Sequence, residues 1–241
     1  MPAREEIAQL YDWRASRGDT TKGYEPVASR DVALLGQHIH LQSARICDVG
    51  CGNGNHLKAL CRAGAVYPVG VDISVRSLNR LLAKDWQSLA ILLLTDVTTW
   101  TIGPVFDATL CSLPPMNRTQ GFGLETFVAA LLSITKPGGW IILKLFDGDL
   151  IEHISGTYSV AYDGPQSEKV STITHFPRTG TIEIRQYFRD APEDVHFEFV
   201  DAPTKSEVIR QLDIIGLSVA TADHLNQLPG TRTYLFRIPP A

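Results

Sequence analysis

The stretch ICDVGCGNGNHL, residues 46–57, decides the fold because it places an acid and three glycines between an apolar run and a helix-like segment. Glycine adopts positive φ freely and lets a ligand approach the backbone, so the pattern predicts a strand that turns sharply into a helix beside a ligand. The dinucleotide fingerprint G-x-G-x-x-G would need glycine at 50, 52 and 55, but residue 55 is asparagine. Asp48 would also repel a pyrophosphate. It suits instead a ligand with a cationic group, such as an amino-acid ammonium.

The composition is that of an ordinary globular protein. The 241 residues are 44% hydrophobic and 20% charged, which is enough for one domain with a substantial core. The formal net charge of -4 argues against a broad nucleic-acid or anionic-membrane surface. The four cysteines form no C-x-x-C pair, so we expect buried reduced thiols and predict no metal site. The first ten residues lack the features of a signal peptide, and the aliphatic run at 89–94 is too short to span a membrane, so we expect a cytoplasmic protein.

Apolar strands alternate with helical segments through residues 41–150, and this order indicates a parallel sheet covered on both faces. The segments TKSEVIRQLDIIG, LSVATADH and RTYLFRI then add a helix and two strands. The last strand is expected to return antiparallel, because its link is too short for a helix. We therefore predict an α/β fold with a doubly wound, mostly parallel, seven-stranded sheet. Residues 151–202 alternate with a period of two and predict an antiparallel block.

Two further acids follow predicted strands, at the edge where ligands collect in such sheets. Asp72 ends the strand YPVGVD, where a carboxylate can accept hydrogen bonds from both hydroxyls of a ribose. Asp96 follows the next strand, where it could accept a hydrogen bond from the exocyclic amine of an adenine. An ammonium, a ribose and an adenine together favour S-adenosyl-L-methionine (SAM) over NAD or ATP. Each acid also has a simpler interpretation, as a helix cap or an ordinary loop acid.

The ordered segments ICDVGCGNG, VGVDIS, LLTDV, FDATLCS and KPGGWIIL resemble the motifs of class I SAM-dependent methyltransferases. The resemblance covers about residues 40–147, and the elements at 203–238 match the usual end of that family. It implies a Rossmann-like methyltransferase fold with SAM as methyl donor and S-adenosyl-L-homocysteine (SAH) as product. It also implies that Asp48 lies near the methionine ammonium, Asp72 on the ribose and Asp96 on the adenine. The predicted cofactor-binding residues are Tyr11, Asp48, Gly50, Cys51, Gly52, Asn53, Gly54, Asp72, Ile73, Asp96, Val97 and Cys111.

The segment CSLPPMN lies where methyltransferases present a residue to the methyl acceptor. Enzymes that methylate amino groups of bases or glutamine usually carry Asn, Asp or Ser before Pro-Pro and an aromatic residue after it. Leu113 and Met116 occupy those two positions here, which argues against that class. We predict that Leu113, Pro114 and Met116 contact the acceptor. The alternative is that this segment is only a rigid exit from the strand.

The N-terminal segment more weakly resembles the lid of small-molecule N-methyltransferases of the glycine and deoxyamino-sugar type. Those enzymes have Tyr-Asp on the first helix and Lys-x-Tyr before the second, which correspond to Tyr11-Asp12 and to Tyr24 here. The resemblance implies a helical lid at 1–40, a SAM-binding core at 41–150 and 203–241, and an insert at 151–202 that covers the acceptor site. The alternative is that both tyrosines only anchor amphipathic helices.

The insert supplies the remaining candidates for acceptor contacts and for a general base. Alternation puts Arg185 and Tyr187 on one polar face, which either lines the acceptor pocket or faces solvent. His175 and His196 are the histidines to test as bases, and our candidate catalytic residues are Tyr24 and His175.

The sequence therefore predicts a SAM-dependent methyltransferase that modifies an amine or hydroxyl of a small metabolite. We expect a monomer or homodimer without nucleic-acid or membrane partners. The alternatives are a tRNA or protein methyltransferase, a SAM-binding module without catalysis and, less consistent with the motifs, an NAD oxidoreductase.

Overall fold

The computed structural model describes residues 2–16, 24–83, 87–151, 156–162, 164–223 and 229–240. The helices are α1 Pro2–Ser16, α2 Glu25–Gly36, α3 Asn55–Arg62, α4 Val75–Leu82, α5 Leu124–Ile134, α6 Gly148–Ile151 and α7 Lys205–Ile214. The first sheet contains β1 Ile46–Val49, β2 Val69–Asp72, β3 Ile91–Leu94, β4 Phe106–Ser112, β5 Thr135–Phe146, β10 Val219–Asp223 and β11 Thr231–Arg237. The second sheet contains β6 Gly156–Tyr162, β7 Gly164–Phe176, β8 Thr181–Phe188 and β9 Ala191–Asp201. The predicted break between the first two helices, residues 17–23, lies outside the described residues.

The first sheet has seven strands in the order β10-β11-β5-β4-β1-β2-β3. Strands β1 to β5 pair in parallel, whereas β11 runs antiparallel to both of its neighbours, β5 and β10. This confirms the predicted α/β fold with a mostly parallel sheet, including the antiparallel return of the last strand. The chain reverses its direction of winding at β1, which pairs with β2 on one side and β4 on the other. The carboxyl ends of these three strands therefore border the crevice where open α/β sheets bind ligands.

Helices cover both faces of this sheet, which explains why its central strands are apolar throughout. On one face, α5 and α7 bury Leu131 and Val208 against β4, β5 and β11. On the other face, α2 and α3 bury Leu35 and Leu60 against β1 and β4. All four residues of β1 are buried, so its glycine-rich exit is anchored to a rigid strand.

The second sheet is an antiparallel meander in the order β6-β7-β8-β9. Its third strand, β8, buries alternate residues: Ile182, Ile184, Gln186 and Phe188 lie on the buried face. Arg185, between them, is exposed. The sheet thus has one inward face, and β8 places a single polar side chain, Gln186, on it.

The segment GLETFVAALLSITKPGG has the pattern of a helix that Pro137 and the two following glycines would stop, but the structure ends α5 earlier. The helix ends at Ile134, and β5 starts at once with Thr135. The pairing register between β4 and β5 shifts between Phe106 and Ala108, and Gly138 has φ of +78° in this irregular stretch. A bulge therefore accommodates residues that would otherwise break a strand. No helix within the described ranges is long and apolar enough to cross a membrane.

Replacement of Leu131 by alanine tests the core between α5 and the sheet. The side chain is fully buried, so Leu131→Ala should lower the free energy of unfolding by about 2 to 5 kcal/mol. Leu82→Ala makes the same change at a position that is 55% exposed and should shift it by less than about 0.5 kcal/mol. Urea denaturation of both variants measures the difference, and equal effects would contradict this assignment of the core.

Candidate active site

A cavity of about 500 Å³ opens at the carboxyl ends of β1, β2 and β4. Its floor is the turn after β1, and its sides come from the ends of the neighbouring strands, from α1 and from the inward face of the second sheet. The cavity therefore joins segments that are far apart in sequence. It lies at the edge of the sheet that the strand order predicts.

The turn after β1 has the geometry that its glycines require. Gly50, Gly52 and Gly54 have φ of +69°, +49° and +74°, a region that side chains rarely adopt. The backbone N–H groups of Gly50 and Cys51 both donate to the carbonyl of Val71, at 2.8 and 3.0 Å, which ties the turn to β2. A Cβ atom added to Gly50 would meet no atom within 4 Å, so this backbone faces open space. A ligand can approach it directly.

Asp72, at the end of β2, connects the turn to the next helix. One of its carboxylate oxygens accepts the Gly52 N–H at 2.8 Å, and the other accepts the Ser74 N–H at 2.8 Å. Ser74 in turn caps α4 by accepting the Ser77 N–H. The Ile73 N–H also donates to the Asp72 carboxylate. Since the two oxygens together accept about four hydrogen bonds, Asp72 retains acceptor capacity for a hydroxyl of a ribose.

Asp96 lies further along the cavity wall and is held by α1. Its Oδ1 accepts hydrogen bonds from the backbone N–H and the hydroxyl of Thr98, at 2.8 and 2.6 Å. Its Oδ2 pairs with Nε of Arg4 at 3.0 Å, and Nη2 of Arg4 donates to the Thr98 hydroxyl at 2.9 Å. Oδ2 can accept one more donor, such as the amino group of an adenine. Sequence reasoning missed Arg4, because its partner is more than ninety residues away.

Asp48 lies beneath the turn rather than on the cavity wall, and it is 1% exposed. Its Oδ1 lies 3.9 Å from Nδ1 of His56, and the Leu57 N–H donates to the carboxylate. Its Oδ2 has no hydrogen-bond partner among the described residues. Burial raises the pKa of Asp48 to about 6, and the charges of Asp72 and Asp31 add to this, whereas His56 opposes it. A cation brought to this turn would compensate the buried carboxylate.

The other predicted cofactor residues divide by position. Those on the cavity wall are Tyr11, Cys51, Asn53, Ile73, Val97 and Cys111. Gly54 lies instead at the N-terminus of α3, where it precedes the first helical residue. Burial raises the pKa of the Cys51 and Cys111 thiols, and the negative charge of Asp48 raises both further. The thiols therefore stay protonated, which favours a packing role over a nucleophilic one.

Helix α1 bridges the two halves of the cavity. On the side of the first sheet, Asp12 accepts the Ser74 hydroxyl at 2.6 Å and the Arg76 N–H at 3.0 Å. On the side of the second sheet, the Trp13 ring stacks on His196 with centroids 4.0 Å apart, and its Nε1 donates to Asp194 at 2.7 Å. The helix is thus fixed at both sides of the opening.

Arg14 of α1 organises the polar end of the cavity. Its Nε donates to Gln186 Oε1 at 2.7 Å, and its Nη2 donates to Glu198 Oε1 at 2.6 Å. Burial raises the pKa of Tyr11, and the negative charge of Glu198 adds to this, so the phenol stays neutral. The cavity is also lined by apolar side chains, namely Ile7, Phe122, Phe146, Ile184 and Val200. Charged groups in such surroundings are held in fixed positions.

The end of β4 places a hydroxyl pair and a kinked turn in the cavity. The hydroxyls of Tyr24 and Ser112 are 3.2 Å apart. Leu113 has φ of +53°, which is unusual for a residue with a branched side chain, and its N–H donates to the Lys144 carbonyl at 2.8 Å. Leu113 and Pro114, two of the predicted acceptor-binding residues, both line the cavity.

Four predicted acceptor-side or catalytic residues lie elsewhere. Met116 is packed in the core of the first sheet, 1% exposed. Arg185 and Tyr187 project from the opposite face of β8 to Gln186, so alternation directs them away from the cavity. His175 shares the inward face of the second sheet by register, but it borders a separate surface depression with Arg118 and Asp149. None of the four lines the cavity.

The residues that sequence reasoning missed are Arg4, Arg14, Gln186 and Glu198. Their contacts join α1 to segments up to 184 residues away. Gln186 alone carried a usable signal, as a polar residue in the apolar alternation of β8.

The residues present fit SAM. Open space above Gly50 admits a ligand against the turn, the buried Asp48 Oδ2 lacks a partner among the described residues, and Asp72 retains acceptor capacity. These features match an adenosyl group that carries a cationic aminoacyl end. Fold and site together define a Rossmann-like nucleoside-binding site of the methyltransferase type.

Comparisons with known proteins agree with this class. Residues 46–139 match the family model described as a methyltransferase domain. The chain is 23% identical over 168 residues to the ubiquinone biosynthesis O-methyltransferase of Burkholderia ambifaria, which covers 65% of this chain and 69% of that protein. The chain thus contains a methyltransferase domain and resembles the class I SAM-dependent methyltransferases, with SAM as its methyl donor.

Two solved structures share the fold over almost the whole chain. One is a SAM-dependent methyltransferase from Clostridium acetobutylicum, with 17% identity, a TM-score of 0.67 and coverage of 98% of both chains. The other is a SAM-bound amino pentose methyltransferase from Micromonospora echinaspora, with 21% identity, a TM-score of 0.60 and coverage of 93% of this chain and 94% of that chain.

Asp72→Ala should weaken SAH binding about 100-fold, because it removes the ribose acceptors together with the carboxylate that holds Gly52 and Ser74. Isothermal titration calorimetry measures the change. Asp213→Ala removes an exposed carboxylate from α7 and serves as the control, for which we expect unchanged affinity. Affinity retained within threefold in Asp72→Ala would contradict the assignment of this site.

Asp48→Asn should make the protein more stable at neutral pH while it weakens SAH binding. The raised pKa means that the folded state holds the proton of Asp48 more tightly than the unfolded chain. The contribution of this protonated Asp48 to the free energy of unfolding is therefore complete below the unfolded pKa of about 4 and is lost as pH rises through about 6. At pH 7 the variant should gain on the order of 1 to 3 kcal/mol in free energy of unfolding over the wild type.

Chemical denaturation of both proteins between pH 4.5 and 8 tests this expectation. The difference should shrink toward the acidic end of the range, since both side chains are then neutral. A variant that is less stable than the wild type at pH 7 would refute the assigned state of Asp48.

Proposed function

We propose that the chain transfers the methyl group of SAM to an amine or hydroxyl of a small metabolite. When bound, SAM would supply an electrophilic methyl group, which an acceptor lone pair attacks in line with the methyl–sulfur bond while that bond breaks and SAH leaves as a thioether. The residues of the chain orient the acceptor and exclude water from it. The observation that carries this proposal is the single cavity, which joins the predicted donor site to a polar cluster on the insert.

The size of the cavity supports a small acceptor. A volume of about 500 Å³ is typical of a site for one small molecule, yet this cavity must hold both methyl donor and acceptor. Helix α1 and the insert enclose it through Trp13, Arg14 and their partners. We therefore propose that residues 1–40 act as a lid and that residues 151–202 cover the acceptor.

The polar cluster supports an acceptor with a hydrogen-bond donor away from its reacting group. Arg14 holds Oε1 of Glu198, and the carboxylate retains acceptor capacity toward the cavity. Phe146 and Ile184 supply apolar contact on either side. We propose that a hydroxyl or ammonium of the acceptor binds Glu198 while an apolar portion packs on these walls.

Tyr24 and Ser112 are our candidates for orienting the reacting group. Their hydroxyls lie 3.2 Å apart on the cavity wall, at the end of β4. One hydroxyl can accept a hydrogen bond from an acceptor amine or hydroxyl while the other holds it in place. An amine needs only to arrive deprotonated, so a dedicated base is not required for it. The amino pentose methyltransferase among the structural relatives acts on an amine-bearing compound by its description, which supports the amine alternative.

The location, the oligomeric state and the partners of the protein stay predictions from the sequence. We predict a cytoplasmic location, a monomeric or homodimeric state and no nucleic-acid partners. The net charge of -4 supports the last of these.

Transfer of a labelled methyl group from SAM to a panel of small amines and phenols, with products identified by mass spectrometry, tests the proposed function. Total tRNA and unfolded protein serve as competing acceptors in parallel reactions. We expect label in one or more small molecules. Label only in tRNA or protein would contradict the proposal, and so would its complete absence.

Glu198→Gln should lower kcat/KM for the accepted compound about 10- to 100-fold, because the amide keeps an oxygen for Arg14 but loses the charge. SAH affinity should stay within twofold. Glu193→Gln, an exposed position on the same strand β9, is the matched control and should leave both quantities unchanged. Equal kcat/KM for both variants would contradict the proposal that Glu198 binds the acceptor.

A further inference from the structure

A chain of buried polar groups runs from the centre of the first sheet to the turn after β1. Lys144 of β5 is fully buried, and its Nζ donates to Oδ2 of Asp31 at 2.5 Å. Asp31 of α2 also receives the Thr233 hydroxyl on its Oδ1, at 3.4 Å. Nε2 of His56, in the first turn of α3, lies 2.9 Å from the same Oδ2. The chain ends at Asp48, beneath the turn.

The contacts of Asp31 fix the orientation of the His56 ring. Burial alone would raise the pKa of Asp31, but His56 and Lys144 outweigh this effect and hold the pKa below its usual value. Asp31 is therefore an ionised acceptor, and Nε2 of the imidazole donates a hydrogen bond to it. Nδ1 then faces Oδ1 of Asp48 at 3.9 Å, where an N–H would point at the carboxylate. A carboxylate behind an imidazole fixes the direction of the ring in the same way at metal sites.

His56 combines this fixed orientation with a place on the cavity wall. It is 5% exposed, and it follows the glycine turn by two residues. Its neighbour Leu57 donates its N–H to Asp48, so the first turn of α3 and the buried acid are held as one unit. Oδ2 of that acid has no partner within the described residues. The unit therefore presents a fixed, unsatisfied acceptor close to the turn.

We propose that His56 is a positioning residue for the aminoacyl end of the methyl donor. With Nε2 held by Asp31, its Nδ1 keeps Asp48 and the first turn of α3 in the arrangement that receives this end. The adenosyl end binds separately, at Asp72 and Asp96. The inference rests on the methyl-donor site and not on the identity of the acceptor.

Two ligands separate this role from a general effect on folding. SAH carries the aminoacyl end, whereas 5′-methylthioadenosine shares its adenosine and thioether but lacks that end. In His56→Gln the amide nitrogen can still reach Asp31, but nothing replaces Nδ1. We expect the dissociation constant of SAH to rise at least about tenfold in this variant, while that of 5′-methylthioadenosine changes less than about threefold.

His56→Asn provides the complementary change, because its amide nitrogen takes the place of Nδ1 and loses the contact with Asp31. Its loss of SAH affinity should be smaller than that of His56→Gln. Asp72→Asn should weaken both ligands, since both contain the ribose, and His40→Gln, at an exposed position, should weaken neither. Calorimetry measures all of these dissociation constants without any methyl acceptor. The test therefore stays valid even if the proposed class of acceptor is wrong.

Three outcomes would overturn the proposal. Equal losses of SAH and 5′-methylthioadenosine in His56→Gln would mean that His56 only supports the fold. Unchanged SAH affinity would mean that the ring does not act on the aminoacyl end. A loss in His56→Asn as large as that in His56→Gln would exclude the role assigned to Nδ1.

Discussion

The carboxylate of Asp72 is the interaction on which the cofactor half of the site depends. It accepts one backbone N–H from the turn after β1 and another from the start of α4, and so sets the distance between two consecutive crossovers. A turn built from three glycines with positive φ has many alternative conformations in the unfolded chain, and an external acceptor selects one of them. The same geometry brings Asp72 close enough to Asp48 to raise its pKa. The carboxylate of Asp72 therefore shapes the turn and also adds to the negative charge that a bound cation would compensate there.

Helix α1 connects the donor and acceptor halves of the cavity. Arg4 pairs with Asp96 at the predicted adenine end, whereas Arg14, ten residues later, holds Gln186 and Glu198 of the insert. A helix of 15 residues spans about 22 Å, enough for one rigid element to reach both ends of a two-ligand cavity. The walls at both ends of the cavity therefore depend on how this one helix docks.

Sequence patterns predict this structure well where the determinants are local. The glycine turn, the acids after β2 and β3, and the alternation of strands with helices follow from residues that are neighbours in the chain. Alternation in β8 also identified correctly which side chains share a face, but it could not tell which face would be covered. Our candidates for acceptor contacts, Arg185 and Tyr187, lay on the polar face, whereas Gln186 on the apolar face contacts Arg14. Arg4, Arg14 and Glu198 were out of reach because each depends on how α1 docks, and docking follows from tertiary packing.

The buried charges of the first sheet differ in how they are compensated, and this difference identifies their roles. Lys144 and Asp31 compensate each other at 2.5 Å, and His56 completes the set, so none of these groups needs a ligand. Asp48 has only a distant imidazole and a backbone N–H, and one of its oxygens has no partner in the described part of the chain. An incompletely paired buried carboxylate destabilises a fold unless a bound cation completes it. The aminoacyl ammonium of SAM is a cation of the right kind, because the glycine turn above Asp48 leaves room for it. The free-energy cost of burying Asp48 without a full set of partners is therefore offset when the cationic end of the methyl donor binds.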